Sequence, residues 1–273
     1  MIEEEIEIQL LLEAIHMKYE YDFRDYSRAH MKRRIQNRMI LDGFSNVSEM
    51  LHKILYDKEF FNLVLTDFSI NVTEMFRDPS FYKAFRENVI PILKTYPFIR
   101  IWHAGCSTGE EVYSMAILLK EEGLYDRAQI YATDFNKLVL EKAKEGIYDI
   151  DDIKKYTYNY QKSGGKSSFS DYYIAQYDSV IFDSSLKKKI TFAQHNLVND
   201  GVFGEMHVII CRNVLIYFNN EMQSSVIKLF SDSLFNGCFL CLGSKENIKF
   251  TTSEENFEDV ACSEKIYCKK HIL

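Results

Sequence analysis

A glycine turn followed by two glutamates is the first group of residues in this chain that could do chemistry. The segment Ala104-Gly105-Cys106-Ser107-Thr108-Gly109 follows a short apolar run and precedes a helical pattern that opens on Glu110 and Glu111. Such a turn between a strand and a helix brings the backbone close to a nucleotide, although the middle glycine of a dinucleotide fingerprint is absent. Asp134 closes the next apolar run, where an acidic residue accepts hydrogen bonds from ribose hydroxyls. These residues predict a nucleoside site.

The two glutamates narrow the choice of ligand. A pyrophosphate binds at a helix N-terminus, and two carboxylates there would repel it. The ligand is therefore expected to carry no phosphate and to be cationic. S-adenosylmethionine, which has a ribose, a sulfonium and an ammonium group, meets these requirements. The alternative is that Glu110 and Glu111 only offset the helix dipole.

No second chemical centre stands out among the other motifs. None of them contains a histidine-centred dyad or triad, and neither Cys106 nor Cys211 has an adjacent base that would mark it as a nucleophile. Cys238 and Cys241 form a CxxC, but a zinc or redox site needs a second pair or an exposed turn. Their neighbours in GCFLCLG indicate a buried strand instead, and we expect no metal.

Helical periodicity dominates the first third of the chain. Residues 1–95 place apolar residues three and four apart in successive segments, which predicts a small helical domain. Asn46 or Ser48 can cap its third helix, and Asp78-Pro79 can start another.

From residue 99 onward, short apolar runs alternate with helical patterns. This alternation predicts an α/β domain over 96–273, doubly wound around a parallel sheet with helices on both faces. A polar and aromatic stretch at 149–190 fits an inserted subdomain or a long excursion better than a core helix.

The charge distribution indicates the kind of partner. The 273 residues carry 33 basic and 40 acidic side chains, and the net charge of −7 argues against nucleic acid as the main partner. Segment 24–38 is instead strongly basic, with two helical stripes at a spacing of four residues. These stripes are Arg24, Arg28 and Lys32, and then Arg34 and Arg38. The segment suits an acidic docking partner, and a solvated charged face is the alternative.

Features of export and membrane insertion are missing from the sequence pattern. The acidic start MIEEEIEIQLLLEAI lacks the basic region and the small-residue cleavage site of a signal peptide. No apolar run approaches the ~20 residues of a membrane span. We expect a cytoplasmic protein that is not inserted in a membrane, and we expect a monomer.

Four motifs in this order resemble the CheR chemoreceptor methyltransferases: NVTEMFRDPSFY at 71–82, GCSTGEEVYSMA, YATDFN, and CRNVLIYF at 211–218. The resemblance covers about residues 15–250 and includes the basic segment. Val112 stands where the family usually has proline, which concerns the start of a helix rather than the chemistry. The resemblance implies a Rossmann-like class I methyltransferase domain after the helical domain. It also implies methyl transfer from S-adenosylmethionine to glutamate carboxylates of bacterial chemoreceptors, with S-adenosylhomocysteine as product.

The resemblance also implies which residues form the site. The expected cofactor contacts are Asn71, Thr73, Arg77, Glu111, Asp134, Asn196, Leu197, Arg212 and Asn213. Glu110 is the second choice after Glu111. Arg77 and Tyr217 are expected at the catalytic centre, and without the resemblance Tyr217 could equally be a core aromatic after a buried strand.

Ester formation at a glutamate agrees with the absence of a base from the motifs. A glutamate carboxylate has an ordinary pKa of about 4.3, so near pH 7 it is already the nucleophile. Catalysis then depends on alignment, which contributes up to ~7–11 kcal/mol. Arg77 could hold the carboxylate, but tight binding would also stabilise the ground state and slow transfer. We therefore expect Arg77 to orient one oxygen and leave the other free, while Tyr217 donates a hydrogen bond or walls the methyl channel.

The resemblance favours docking over a solvated face for the basic segment, because receptor methylation regions are long acidic helices. The expected contacts are Arg28, Lys32, Arg34 and Arg38. Some family members also tether to a receptor C-terminal pentapeptide through the inserted subdomain. Ser163-Gly164-Gly165-Lys166 differs from their glycine-rich loop, so we expect no tight tethering.

Two other functions stay open. One is a methyltransferase that acts on another protein or on a small carboxylic acid, which would have little use for the basic helical domain. The other is a non-catalytic adenosylmethionine-binding adaptor in signalling, which would not need both Arg77 and Tyr217.

Overall fold

A computed structural model describes residues 2–69 and 73–271 of the chain. These residues form two compact units. The first consists of residues 2–69 with Tyr217–Gln223, and the second of residues 73–216 and 224–271.

Four helices make up most of the first unit: α1 (Ile2–Tyr19), α2 (Arg28–Asp42), α3 (Val47–Tyr56) and α4 (Lys58–Phe68). Of the two caps that the sequence offers for the third helix, Asn46 is the one used. The side chain of Asn46 accepts a hydrogen bond from the Glu49 N–H at the start of α3, and Gly43 ends α2 in the left-handed conformation. The all-helical N-terminal domain is thereby confirmed. The basic segment is helical only from Arg28 onward, so Arg24 lies before the helix.

The next helices belong to the second unit. They are α5 (Pro79–Ala84), a π-helical turn at Phe85–Val89, and α6 (Ile90–Leu93). Their apolar side chains join the hydrophobic core of the sheet domain. The boundary between the two units therefore falls before Thr73. Helical periodicity alone predicts a first domain that extends to residue 95, because periodicity does not show which hydrophobic core a helix packs against.

The remaining elements alternate as predicted. The helices are α7 (Glu110–Glu121), α8 (Lys137–Glu145), α9 (Ile153–Lys162) and α10 (Asn220–Ser233). The strands are β1 (Ile99–Ala104), β2 (Ala128–Asp134), β3 (Ile147–Asp149), β4 (Tyr173–Gln176), β5 (Ser179–Phe182), β6 (Ile190–Gln194), β7 (Met206–Cys211), β8 (Leu234–Leu242), β9 (Phe257–Ala261) and β10 (Ile266–Lys269).

Seven of these strands form one sheet in the order β6-β2-β1-β7-β8-β10-β9. The first five are mutually parallel, and β10 runs antiparallel to both of its neighbours. All six residues of β7 are buried, as expected for a central strand covered on both faces. The doubly wound α/β fold is confirmed. β2 lies on one side of β1 and β7 on the other, so the strand order reverses at β1. Sheets of this kind bind ligands in the crevice at the carboxyl ends of the strands where the order reverses.

The excursion between β2 and β6 contains a separate three-stranded antiparallel sheet in the order β3-β5-β4. The predicted inserted subdomain is present. One part of the expectation is wrong: the run YTYNYQK is a regular helix, α9, whose Tyr156, Asn159 and Tyr160 are buried. The polar and aromatic composition of the stretch argued against a core helix, but Tyr156 and Tyr160 face the core while Tyr158 lies on the exposed side.

Cys238 and Cys241 are fully buried in β8, so the interpretation of CxxC as part of a strand is confirmed. Within the described ranges, no helix is long and apolar enough to cross a membrane, and no cluster of three or more metal-ligating side chains occurs.

Candidate active site

The glycine turn connects β1 to α7 at the carboxyl edge of the sheet. Gly105 has φ +77°, and a Cβ there would lie 2.6 Å from Val214 Cγ2. Gly109 has φ +94° and forms the N-cap of α7. The Gly105 and Cys106 N–H groups both donate to the Thr133 carbonyl, at 2.8 and 2.9 Å. The turn is thus held against β2 by these two bonds. Glycine at position 105 permits the positive φ and the close approach to Val214.

Asp134 lies at the end of β2 beside this turn. Its Oδ2 accepts the Ser107 N–H at 2.9 Å and its Oδ1 accepts the Asn136 N–H at 3.0 Å. Burial raises the pKa of the Asp134 carboxyl to about 6, against the lowering effect of these hydrogen bonds. The Phe135 N–H also hydrogen-bonds to this carboxylate. Since a carboxylate has about four acceptor sites, it retains capacity for a ribose hydroxyl.

The two glutamates at the start of α7 have different partners. Thr108 Oγ1 lies 2.7 and 2.9 Å from the two carboxylate oxygens of Glu110, and burial raises the pKa of that carboxyl to about 7. The carboxylate of Glu111 contacts His103 Nδ1 at 3.3 Å and Arg212 at 2.8 Å. Burial raises the pKa of Glu111, but the His103 hydrogen bond and the Arg212 charge outweigh it and leave the pKa below its ordinary value. Glu111 is therefore the glutamate that stays ionised at neutral pH.

Arg212 follows β7 and bridges two parts of the site. It donates to Glu111 Oε2 at 2.8 Å, to Asp78 Oδ2 at 2.7 Å, and to the Arg77 carbonyl at 3.3 Å. Its guanidinium also lies 4.2 Å from the centre of the Phe81 ring. With its side chain 2% exposed, this cation is neutralised by two carboxylates and connects the start of α7 to the segment that carries Arg77.

Arg77 lies in a strained segment, which we call the arginine loop (residues 75–78). Phe76 and Asp78, on either side of Arg77, have φ +51° and +55°. Positive φ is unfavourable for a residue as bulky as phenylalanine, and it persists only where the surroundings enforce it. Thr73, upstream of this loop, is half-buried. Asn71 lies outside the described residues.

The residues after β7 turn sharply around a buried glutamate. Asn213 has φ +62°, and its N–H donates to Glu246 Oε2 at 2.9 Å. The Gly243 and Ile216 N–H groups also donate to this carboxylate, at 2.5 and 3.3 Å. Glu246 is 4% exposed. The sequence interpretation missed it; the available signal was a glutamate four residues after the buried strand β8, where a buried carboxylate needs several donors.

Asn196 and Leu197 follow β6 at the same edge of the sheet. The Asn196 N–H donates to Asp200 Oδ2 at 2.8 Å, and its side-chain Oδ1 accepts the Val198 N–H at 3.0 Å. Leu197 is half-buried. The loop is therefore ordered by its own hydrogen bonds, and the His195 N–H ties its start to the Asp134 carbonyl of β2 at 3.2 Å.

Tyr217 belongs to the first unit. Its carbonyl accepts the Ser27 N–H at 2.7 Å, and its ring lies edge-on to His30 with 5.7 Å between ring centres. Its expected catalytic role stays a prediction.

The basic residues of α2 divide into paired and exposed side chains. Lys32 pairs with Glu4 at 2.6 Å, Arg38 pairs with Asp67 at 2.5 Å, and Arg34 donates to the Asp67 carbonyl. Arg28 and Arg33 are exposed, and neither has an ion pair within the described part of the chain. Arg33 was not among the expected docking residues. The four-residue spacing of basic residues groups them into stripes along the helix, but it does not show which stripe packs against the other helices.

Comparison with known proteins decides the family. Residues 71–266 match the CheR methyltransferase SAM-binding domain, and residues 6–69 match the CheR methyltransferase all-alpha domain. The chain belongs to the CheR methyltransferase family. It is 48% identical to Cher3 of Pseudomonas putida over 265 residues, which is 97% of each protein. It is also 29% identical over 229 residues to the chemotaxis protein methyltransferase of Listeria innocua (83% of this chain and 84% of that one) and 27% identical over 259 residues to that of Borreliella burgdorferi (89% and 88%).

The residues of this CheR-family site fit S-adenosylmethionine. Gly105 lets the backbone pass within contact distance of Val214 because it has no side chain, and Asp134 retains acceptor capacity beside the turn. The acidic side chains at the start of α7 suit a cation and disfavour a phosphate. The expected contacts at Glu111, Asp134, Arg212 and Asn213 thus lie at the carboxyl ends of adjacent strands or at the helix start between them, where the fold predicts a ligand.

Proposed function

We propose that this CheR-family methyltransferase transfers a methyl group from S-adenosylmethionine to glutamate side chains of chemoreceptors, forming glutamate methyl esters. The observation that carries the proposal is the Arg212 bridge. One buried guanidinium contacts both Glu111, beside the glycine turn, and the backbone of Arg77. Groups suited to a cationic nucleoside and a group suited to a carboxylate are thereby held on one framework.

The chain's own residues would hold the cofactor as follows. Asp134 accepts the ribose hydroxyls, the glycine turn supports the nucleoside, and Asn196 and Leu197 lie on the adenine side. Glu111 supplies negative charge for the cationic portion, while Thr73, Arg212 and Asn213 border it. The cofactor, when bound, supplies an electrophilic methyl group on a sulfonium.

The substrate glutamate needs orientation rather than activation. Its carboxylate is ionised near pH 7, and no proton has to be removed before the new C–O bond forms. Arg77 orients one carboxylate oxygen through its planar guanidinium and leaves the other free to react. Tyr217 donates a hydrogen bond to the substrate or borders the methyl group.

Chemoreceptors are proposed as substrates on two grounds. Relatives that align with most of this chain are named chemotaxis protein methyltransferases. Helix α2 also exposes Arg28 and Arg33 on a protein of net charge −7. A local basic surface of this kind suits an acidic helix, because complementary charge steers association.

The direct test incubates the protein with tritiated S-adenosylmethionine and chemoreceptor-containing membranes. Base-labile label on receptor protein supports the proposal, and mass spectrometry then identifies the modified glutamates. Label on another protein or on a small acid would instead indicate a methyltransferase of different specificity. Cofactor binding without any transfer would indicate an adaptor.

The role of Arg77 is tested by Arg77→Ala, with Arg100→Ala as the matched control, since Arg100 lies near the start of β1, at the opposite end of the strand from the glycine turn. We expect Arg77→Ala to reduce transfer by about a hundred-fold or more, and Arg100→Ala to leave it unchanged. Wild-type transfer by Arg77→Ala would show that the active-site assignment is wrong.

A further inference from the structure

The peptide unit between Met75 and Phe76 is fastened at both polar ends by side chains from two different helices. The Met75 carbonyl accepts a hydrogen bond from Asn159 Nδ2 of α9 at 3.1 Å. The Phe76 N–H donates to Ser114 Oγ of α7 at 2.8 Å. Both bonds are buried, so water cannot replace either partner and losing one is costly.

The side chain of Phe76 is enclosed largely by the insertion. Its ring lies 5.2 Å from that of Tyr160 and 6.1 Å from that of Phe169, and both of these residues belong to the excursion between β2 and β6. Tyr82 of α5 contacts it from another side at 5.0 Å. The surroundings that hold Phe76 at positive φ are therefore supplied in large part by α9 and the turn that follows it.

Arg77 is the next residue, and its own carbonyl is held by Arg212 at 3.3 Å. The backbone on both sides of Arg77 is thus fixed by side-chain donors and acceptors, with Asn159 on the N-terminal side. Without the Asn159 carboxamide the Met75 carbonyl would be buried without a partner. The peptide would then be held only through the Phe76 N–H on Ser114, so Phe76 could relax toward negative φ, which would move Arg77.

We propose that Asn159 is a positioning residue for Arg77, so that α9 of the insertion forms part of the catalytic framework. The inference rests on the proposed function, because it assigns a purpose to the fixed position of Arg77. The turn after α9 is itself fastened to the C-terminal end of α7, since the Lys166 N–H donates to Glu121 Oε1 at 2.9 Å. The insertion therefore bears directly on the arginine loop, and a change in α9 would be transmitted to Arg77.

The test compares Asn159→Asp with Gln161→Glu. Both replace a carboxamide by a carboxylate of the same shape on α9, but Asn159 is buried against the arginine loop whereas Gln161 is exposed. Methyl transfer to receptor membranes is measured together with hydrogen exchange of the segment around Phe76 in the cofactor-free protein. Folding is checked by circular dichroism, and Asn159→Ser serves as a second variant, without added charge, if Asn159→Asp does not fold.

We expect Asn159→Asp to slow transfer about ten-fold or more and to speed exchange of the Phe76 amide, while Gln161→Glu changes neither. In an Arg77→Ala background, Asn159→Asp should cause no further loss, because residues that act through one another are non-additive. A full additional loss in that background, or unchanged exchange at Phe76, would overturn the inference. If Arg77→Ala alone transfers methyl groups normally, the proposed function's assignment of Arg77 fails, and the exchange result still decides whether Asn159 holds the loop.

Discussion

At the residue scale, three neighbouring carboxylates acquire different properties from their surroundings. Glu111 faces Arg212 and His103 and stays ionised, while burial raises the pKa of Asp134 to about 6 and that of Glu110 to about 7. Residue type alone would have treated Glu110 and Glu111 as equivalent. The difference arises because successive residues on a helix point in directions about 100° apart.

The raised pKa of Glu110 predicts a pH dependence of stability. A carboxyl whose pKa is higher in the folded state stabilises that state fully below its unfolded value, near 4.5, and loses this contribution as the pH rises through about 7. Between pH 5 and pH 8 the wild-type protein should lose about 2 kcal/mol of unfolding free energy from this group, and Glu110→Gln should not. Urea unfolding at both pH values measures the difference, with the exposed Glu145→Gln as control. Parallel behaviour of wild type and Glu110→Gln would contradict the prediction.

Asp134 predicts a pH dependence of ligand binding. In the proposed function, ribose hydroxyls donate to the ionised form of Asp134, so protonation below its pKa of about 6 would compete with binding. We expect the affinity for S-adenosylhomocysteine to fall about ten-fold from pH 7.5 to pH 5. Calorimetric titration at the two pH values tests this. Asp134→Asn should bind weakly at both and lose the dependence; a variant that keeps it would show that another group titrates.

At the element scale, helix α2 uses its basic residues in two ways. Lys32, Arg34 and Arg38 fasten the helix within the first unit, whereas Arg33 projects from it. Charge reversal should therefore affect receptor binding at an exposed position and stability at a paired one.

Arg33→Glu is expected to raise the KM for receptor several-fold, more strongly at low salt, without changing the melting temperature. Arg38→Glu is expected to cost about 1–3 kcal/mol of stability by breaking the pair with Asp67. Receptor methylation that is insensitive to Arg33→Glu would move the docking surface elsewhere.

The turn between β7 and α10 depends on a residue from the turn after β8. The Asn213 and Gly243 N–H groups both donate to the Glu246 carboxylate. Glu246→Gln would replace one of its acceptor oxygens by an amide N–H₂ group, which cannot accept a hydrogen bond from a backbone N–H. We expect a loss of about 1–3 kcal/mol in unfolding free energy and weaker binding of S-adenosylhomocysteine, because Asn213 would shift. The adjacent exposed Lys245→Gln is the control, and equal stability of the two variants would contradict the prediction.

At the scale of the whole molecule, a single tryptophan reports on the second unit. Trp102 is fully buried in β1, and its Nε1 donates to Thr133 at 2.8 Å. S-adenosylhomocysteine at about 100 times its Kd should stabilise this unit by about 2.7 kcal/mol. The midpoint of thermal unfolding followed by tryptophan fluorescence should rise accordingly, and Asp134→Asn should not show the rise. An unchanged midpoint in the wild type would place the ligand site outside this unit.

Much of this architecture follows from local sequence patterns. The four helices of the first unit, the alternation from β1 onward and the burial of Cys238 and Cys241 all depend on spacing and composition within short windows. The glycine turn and Asp134 could be recognised for the same reason, since strand, turn and helix are contiguous. The tyrosine-rich α9 was missed because its polarity resembles that of a loop until its buried face is known.

What tertiary structure alone decided is the set of partners that lie far apart in the sequence. Arg212 meets Glu111 and Asp78, Glu246 meets Asn213, and Asn159 meets Met75. The sequence by itself determined the fold class, the order of the elements and the glycine turn between β1 and α7, because these depend on interactions between near neighbours. Which glutamate stays ionised, which arginines are free to meet a partner and which helix steadies Arg77 depend on burial and on long-range packing, and the sequence contains these only through the folded chain.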